Sequence, residues 1–419
     1  MHGAGEVILS VSVFLLAVVL VEHLARRWAL PTVGLLLVVG LGYGLVRRLG
    51  LAWLPDAALP PDVVVFVFLP VLIFSSSRRL PVRALVAEGP EVAYLSLIGP
   101  GVSMVLLALP LVLLGGVGWL HGLLFGAALA ATDPLAIGAL LKRMQVPRRL
   151  LALIEGESLL NDAVVIILFA ALAGAALGES ELTLPATLGG FAYALLGAVG
   201  LGILAGGLIG GLLRVGHDMH DRFVGAVLPL VMVYGTFALA HSVLYVSGVT
   251  AVVAATLTLN ALHTHRKQPT DAQQRSDDFF EDFWGFIDTL ANAALFFGIG
   301  VMVGGHEWRL PWILVPLACI ALVVSRLGTV YPMGPGFAAL GRGIRRSWLH
   351  VLSASGLRGG LSVALLLSLP ASYPHRTAML CLAFALVLFS LAAHLVADRL
   401  WLRNAEFTDA EPRSKGTTL

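Results

Sequence analysis

The chain has 419 residues, of which 58% are apolar and 12% charged, against about 45–50% and about 25% in soluble domains. Apolar runs broken by short polar segments exclude a water-soluble enzyme and indicate a polytopic membrane protein. A formal net charge of +2 implies no nucleic-acid partner, and Cys319 and Cys381, both inside apolar runs, supply neither a disulfide framework nor a thiolate metal site.

Runs near the roughly 20 residues that cross the hydrocarbon predict thirteen transmembrane helices, at 6–25, 30–48, 60–77, 89–114, 119–141, 150–177, 186–213, 222–244, 248–262, 283–304, 311–332, 348–370 and 376–398. No basic region precedes the first run, whose start has only His2 and Glu6 as ionisable side chains, and it reads as a retained span rather than a cleaved signal peptide. In the seventh run, GILAGGLIGG at 202–211 suits tight helix packing. Packing is preferred to a phosphate loop because no Lys-Ser/Thr follows and the run lies in the membrane. The segment 263–282 (HTHRKQPTDAQQRSDDFFED) reads as a solvated connector with an amphipathic end at Phe279, Phe280 and Phe283. Residues 1–402 are expected to form one transmembrane domain and 403–419 a short polar cytoplasmic tail.

Cytoplasmic loops are enriched in Lys and Arg. With the N-terminus outside, the thirteen spans place 21 of the 27 basic residues inside and four outside (Arg47, Arg48, Arg309 and Arg376), and leave Arg326 and Arg358 within apolar runs. A missed helix would scramble every later loop, so this split supports the span count and a cytoplasmic C-terminus.

Ionisable groups within a membrane are costly and are functional candidates by default. They are Asp133 in run five, Glu155, Glu157 and Asp162 in run six, Asp288 in run ten, Arg326 in run eleven and Arg358 in run twelve. Glu22, Glu88, Glu91 and Asp398, nearer run ends, read as interfacial charges. Run six contains EGESLLNDAV, and residues four apart share a helix face. Glu157 therefore stacks with Asn161, whose amide can hold it, and Ser158 stacks with Asp162. A carboxylate beside a hydroxyl suits a hard cation. In run five, Pro134 of ATDPLAIG interrupts the helix near Thr132 and Asp133 and frees carbonyls at mid-membrane depth. In run twelve, Gly356, Gly359 and Gly360 surround Arg358, whose guanidinium could neutralise a helix end or hold a carboxylate. Asp288, one turn before Asn292, could line a funnel or cap a helix. His241 and His394 could sense pH or simply pack.

Runs five and twelve are each the fifth helix of a six-helix unit if 6–177 is one repeat, 186–213 a linking helix and 222–398 a second repeat. One linker inverts the copies, and interrupted, crossing helices at matching places of inverted repeats mark a midplane transport site. The expected fold is thus an all-α polytopic membrane protein of two inverted repeats.

The segments FLPVLIF, ATDPLAIG, EGESLLNDAV, NAALFFGIG and SGLRGGLSVALLLSLP, in this order, resemble the cation:proton antiporter-1 family, and its short prokaryotic sodium/proton exchangers in particular, over about residues 8–400. That resemblance implies a secondary active antiporter rather than an enzyme. It would be a multi-pass protein of the cell membrane, a homodimer among lipids, exchanging Na⁺ or Li⁺ for H⁺ without a resident cofactor or a soluble protein partner. It further implies that Asp162 binds cation and proton, that Ser158 and the Thr132 carbonyl add cation oxygens, and that Asp133 lies near the site. Glu157 and Asn161 would form an architectural pair with Arg358, and Arg326 would be a second buried arginine. Where many members carry an acid after the third-helix LPxLLF stretch, this chain has Ser75, which bears on ion selectivity. A carboxylate that holds either a cation or a proton couples their flows when its site faces the two sides in turn. With Asn at 161 in place of a second acid, an electroneutral 1:1 exchange is expected. Three other readings stay open at this point: a K⁺-preferring or broad monovalent cation exchanger, an intramembrane aspartyl protease using Asp133 and Asp162, and a channel.

Overall fold

The computed structural model describes residues 4–28, 32–50, 63–78, 80, 82–132, 146–179, 184–215, 222–263, 271–305 and 312–397. The described segments are helical, joined by short turns. In chain order the helices are α1 (Ala4–Trp28), α2 (Thr32–Arg48), α3 (Leu69–Ser77, entered through a π-helical turn at Val64–Phe68), a short α4 (Val82–Ala87), α5 (Gly89–Leu113) and α6 (Trp119–Ala128). Then follow α7 (Arg148–Ala176), α8 (Leu184–Val215), α9 (Arg222–Ser242), α10 (Gly248–His263), α11 (Asp271–Gly305), α12 (Leu314–Ala339), α13 (Arg346–Ala354), α14 (Gly360–Ser368) and α15 (Arg376–Ala397). Eight helices among the described residues are long and apolar enough to cross a membrane, and the five predicted runs without one, 30–48, 60–77, 119–141, 248–262 and 348–370, hold shorter helices.

One segment departs from expectation. Residues 271–282, read as a solvated connector, are the first turns of α11, which continues unbroken to Gly305. Their polar composition reflects a helix that projects beyond the apolar layer, and polarity alone does not separate such a helix from a loop. Arg78, at the end of α3, pairs with Glu281 and lies over the Phe280 ring at 5.7 Å, so this extension is tied back to the bundle.

Two helices meet by direct backbone approach. A Cβ at Gly40 or Gly44 of α2 would fall 2.3 Å from the Phe297 carbonyl or 2.1 Å from that of Val301, while one at Gly300 or Gly304 of α11 would fall 2.3 Å from the carbonyls of Leu37 and Leu41. Each helix thus carries Gly-x-x-x-Gly toward the other, the device by which membrane helices gain van der Waals contact without a hydrophobic driving force. Gly202 and Gly206 of α8 face the carbonyls of Ala251 and Ala255 on α10 in the same way. The 202–211 stretch therefore packs helices, as its composition indicated.

Glu88 and Glu91 are not simple interfacial charges. Both are buried. Arg342, in the turn after α12, donates to both carboxylate oxygens of Glu91, and Arg149 of α7 donates to Glu88 at 2.8 Å. Arg149 at a helix N-terminus opposes the helix dipole, and the two acids offset that cost. Glu91, chiefly through its hydrogen bond, holds the Arg342 guanidinium above its ordinary range. Sequence spacing gave no sign of this cluster, since its four charges come from three separate segments.

Candidate functional site

In the fifth predicted run the described helix ends, and in the twelfth the helix is interrupted, where the two meet. Helix α6 ends at Ala128 and the chain continues without helical structure through Ala131 and Thr132. Asp133, with the rest of 133–145, lies outside the described residues. In the twelfth run α13 ends at Ala354, residues 356–359 are non-helical, and α14 begins at Gly360. Helix α14 packs on both α6 and α7.

An arginine serves each interruption. Arg358 donates to the carbonyls of Ala130 and Ala131 at 2.7 and 3.1 Å and to Ser103 Oγ at 3.4 Å, while its own N–H donates to Ser390 Oγ at 3.2 Å. Of the two roles open to it, it takes the first: its fixed charge sits at the negative end of α6. Arg326 of α12 donates to both carboxylate oxygens of Glu157 and, through Nε at 3.0 Å and Nη2, to the carbonyl of Leu352 near the end of α13. The expected pairing of Glu157 with Arg358 is therefore corrected, because the bidentate partner of Glu157 is Arg326. A planar guanidinium matches a carboxylate edge to edge, and Arg326 stands where that edge and the α13 carbonyl are both in reach. Gly356 is needed for it to pass, since a Cβ there would lie 2.6 Å from Arg326 Nε.

Asn161 also differs from expectation. Its amide does not hold Glu157 but donates to the Ala130 carbonyl at 3.0 Å and to Thr132 Oγ1 at 3.1 Å. Ser158 Oγ donates to the Thr132 carbonyl. Two residues of α7 thus fix the non-helical 130–132 segment, satisfying carbonyls that the interruption removed from a helix.

Ser158 and Thr132 border a cavity of about 480 Å³. Helix α7 contributes Glu155, Ser158 and Asp162, the interruptions contribute Thr132 and Gly359, and the facing wall carries Glu22, Ser76, Asp288 and Asn292. Every charged residue among the described lining residues is acidic, which concentrates cations in a low-dielectric cleft. Thr32 donates to Glu22 at 3.1 Å. Glu155 and Asp162, seven residues apart, share the stripe that α7 turns to the cavity. Ser75 is wholly buried, and of its helix it is Leu69, Leu72, Ile73 and Ser76 that border the cavity. Asp288, left between two roles by its sequence context, is on the cavity wall. The structure thus brings Asp162, Ser158 and Thr132 to one wall, with Glu157, Asn161, Arg326 and Arg358 supporting the interrupted segments behind it.

The sequence model described as "Sodium/hydrogen exchanger, transmembrane" matches residues 11–397. The chain belongs to this family. The exchanger is 32% identical over 389 residues to the Na(+)/H(+) antiporter ApNhaP of Aphanothece halophytica, covering 92% of this chain and 71% of that relative. It is 33% identical over 351 residues to the Na(+)/H(+) antiporter NhaP of Pseudomonas aeruginosa, covering 79% of this chain and 78% of that one. Its fold is that of the sodium proton antiporter MjNhaP1 from Methanocaldococcus jannaschii, with a TM-score of 0.65, 20% identity, and coverage of 94% of this chain and 97% of the other. The family, its transport character and the apolar helices together make the exchanger a multi-pass membrane protein.

Proposed function

We propose that the exchanger is a secondary active antiporter that trades Na⁺ or Li⁺ for H⁺ by competition of the two ions at Asp162, with the N-terminus outside and the C-terminus in the cytoplasm. The observation that carries the reading is the meeting of the α6 end and the α13–α14 break beside Asp162, Ser158 and Thr132 on an acid-lined cavity. Asp162 offers carboxylate oxygens, Ser158 a hydroxyl oxygen and Thr132 a carbonyl, a set suited to a small hard cation. For Ser158 and Thr132 to face one cation together, the Ser158 hydroxyl turns its proton away from the Thr132 carbonyl. Cation arrival and loss of that hydrogen bond are then one event. Asp133 stands beside this set in the reading, and the two repeats, 6–177 and 222–398, rock about it through the 186–213 linker.

Asn161 is occupied with the Ala130 carbonyl and Thr132 and provides no second titrating acid, which supports one cation per proton. Two copies would associate as a homodimer within the lipid. Broader alkali selectivity, extending to K⁺, is a second reading, favoured because α3 gives the cavity Ser76 and apolar side chains but no carboxylate.

The test is proton movement in vesicles holding the purified protein, on adding Na⁺, Li⁺ or K⁺ over a pH series. Asp162→Asn is expected to lose cation-driven proton movement for all three ions. Retention of pH-dependent exchange by that variant ends the assignment, and comparison of the three ions in the unaltered protein decides selectivity.

A further inference from the structure

On the cavity wall facing α7, helix α11 presents Asp288, Asn292 and Leu295, spaced so that they share one face. Asp288 is 8% exposed. A carboxylate retained at such depth is costly, and this one borders the same cavity as Asp162. Its geometry is set by its neighbour. The Asn292 amide nitrogen donates to the Asp288 carbonyl at 2.9 Å and to its Oδ1 at 3.2 Å, so one donor ties the side chain to the preceding turn and selects its rotamer. The other amide atom, Asn292 Oδ1, is buried and accepts no hydrogen bond from the described residues. Asp288 and Asn292 thus border the cavity that Ser158 and Asp162 also line, and a carboxylate with a spare amide oxygen beside it is a hard oxygen donor set.

We propose that Asp288 is a cation-receiving carboxylate, positioned by Asn292, that sets the Na⁺ concentration at which the exchanger half-saturates. This rests on the exchange reading above. A cation entering from the α11 side meets Asp288, held by Asn292, and passes to Asp162, where competition with the proton takes place. Asp288 carries no part of the coupling itself. It acts on cation occupancy through its charge and leaves the exchange step at Asp162 unaltered.

The experiment compares the full-length protein with Asp288→Asn, Asp288→Glu, Asn292→Ala and Asp162→Asn in vesicles, measuring the Na⁺ dependence of proton movement at fixed pH. Asp288→Asn is expected to raise the KM for Na⁺ about fivefold at unchanged maximal rate, the order for removing one nearby charge from a partly wet cleft. Asp288→Glu restores most of that affinity, and Asn292→Ala raises KM by a smaller factor. An unchanged KM in Asp288→Asn, or a fall in maximal rate alone, overturns the proposal. Where Asp288→Asn does not fold, Asn292→Ala decides, and an unchanged KM there overturns it equally. Activity surviving in Asp162→Asn marks failure of the exchange reading instead, so the two failures are separable.

Discussion

Arg326 is held between a carboxylate and a helix end, and both partners matter. Its bonds to Glu157 and to the Leu352 carbonyl join α7, α12 and α13 at one buried point, with the Arg326 side chain 11% and the Glu157 side chain 4% exposed. Removing one member of such a pair leaves the other charge buried without compensation, at a cost of about 3 kcal/mol or more. Glu157→Gln is therefore expected to lower the thermal midpoint in detergent by several degrees. Combining it with Arg326→Met should cost less than the sum of the single changes, because the second substitution removes the stranded charge. Strict additivity in that double-mutant cycle would mean that the two side chains do not act as a pair. The sequence marked Glu157, Arg326 and Arg358 as intramembrane charges but could not match them. Spacing along one helix says which side chains share its face and nothing about which of two arginines, 32 residues apart, arrives opposite. Asp288 illustrates the same limit: its i, i+4 relation to Asn292 was legible, while its position on the cavity wall required the placement of α11 around the cavity that α7 also lines.

At the scale of elements, interruption and close approach have separate sequence signals. The glycines around Arg358 indicated where a helix breaks, because unbranched backbone is a local property, while Pro134, read as a second break, lies outside the described residues. Close approach was readable only in part. The 202–211 glycines stood out as a cluster, whereas Gly40 and Gly44 in α2 and Gly300 and Gly304 in α11 gain meaning only once those two helices face each other. A pair of substitutions separates these contacts from ordinary helix propensity. Gly44→Ala puts a methyl group 2.1 Å from the Val301 carbonyl and requires the helices to part, which is expected to cost about 1–3 kcal/mol. Gly42→Ala, two residues away with nothing within 4 Å of its Cβ, is expected to be neutral or slightly stabilising, since Ala is the better helix former. Thermal midpoints of the two variants check the contrast, and equal effects would refute a backbone contact between α2 and α11. The misread 271–282 segment belongs here too: a helix that leaves the apolar layer keeps its hydrogen bonds but loses the hydrophobic signal by which it was recognised.

For the whole molecule, a single shared carboxylate has a kinetic consequence that a channel or two independent sites would not produce. If Na⁺ and H⁺ exclude each other at Asp162, the apparent KM for Na⁺ rises by about tenfold for each unit that the pH falls on the acid side of the Asp162 titration, by mass action. On the alkaline side it becomes independent of pH, while the rate falls as the outgoing proton is lost from the carboxylate. Rate at fixed Na⁺ is then bell-shaped in pH, and raising Na⁺ moves the acid limb to lower pH without moving the alkaline one. One cation for one proton also moves no net charge, so an imposed membrane potential leaves the limiting Na⁺ gradient equal to the proton gradient. Proton-sensitive dye and radioactive Na⁺ in the same vesicles measure both quantities. An acid limb that stays in place as Na⁺ rises would remove competition at one carboxylate as the coupling device. A limiting Na⁺ gradient that follows the potential would instead leave competition standing and require a second proton carrier, for which Asp133, the acid of the fifth predicted run, is the residue to substitute next.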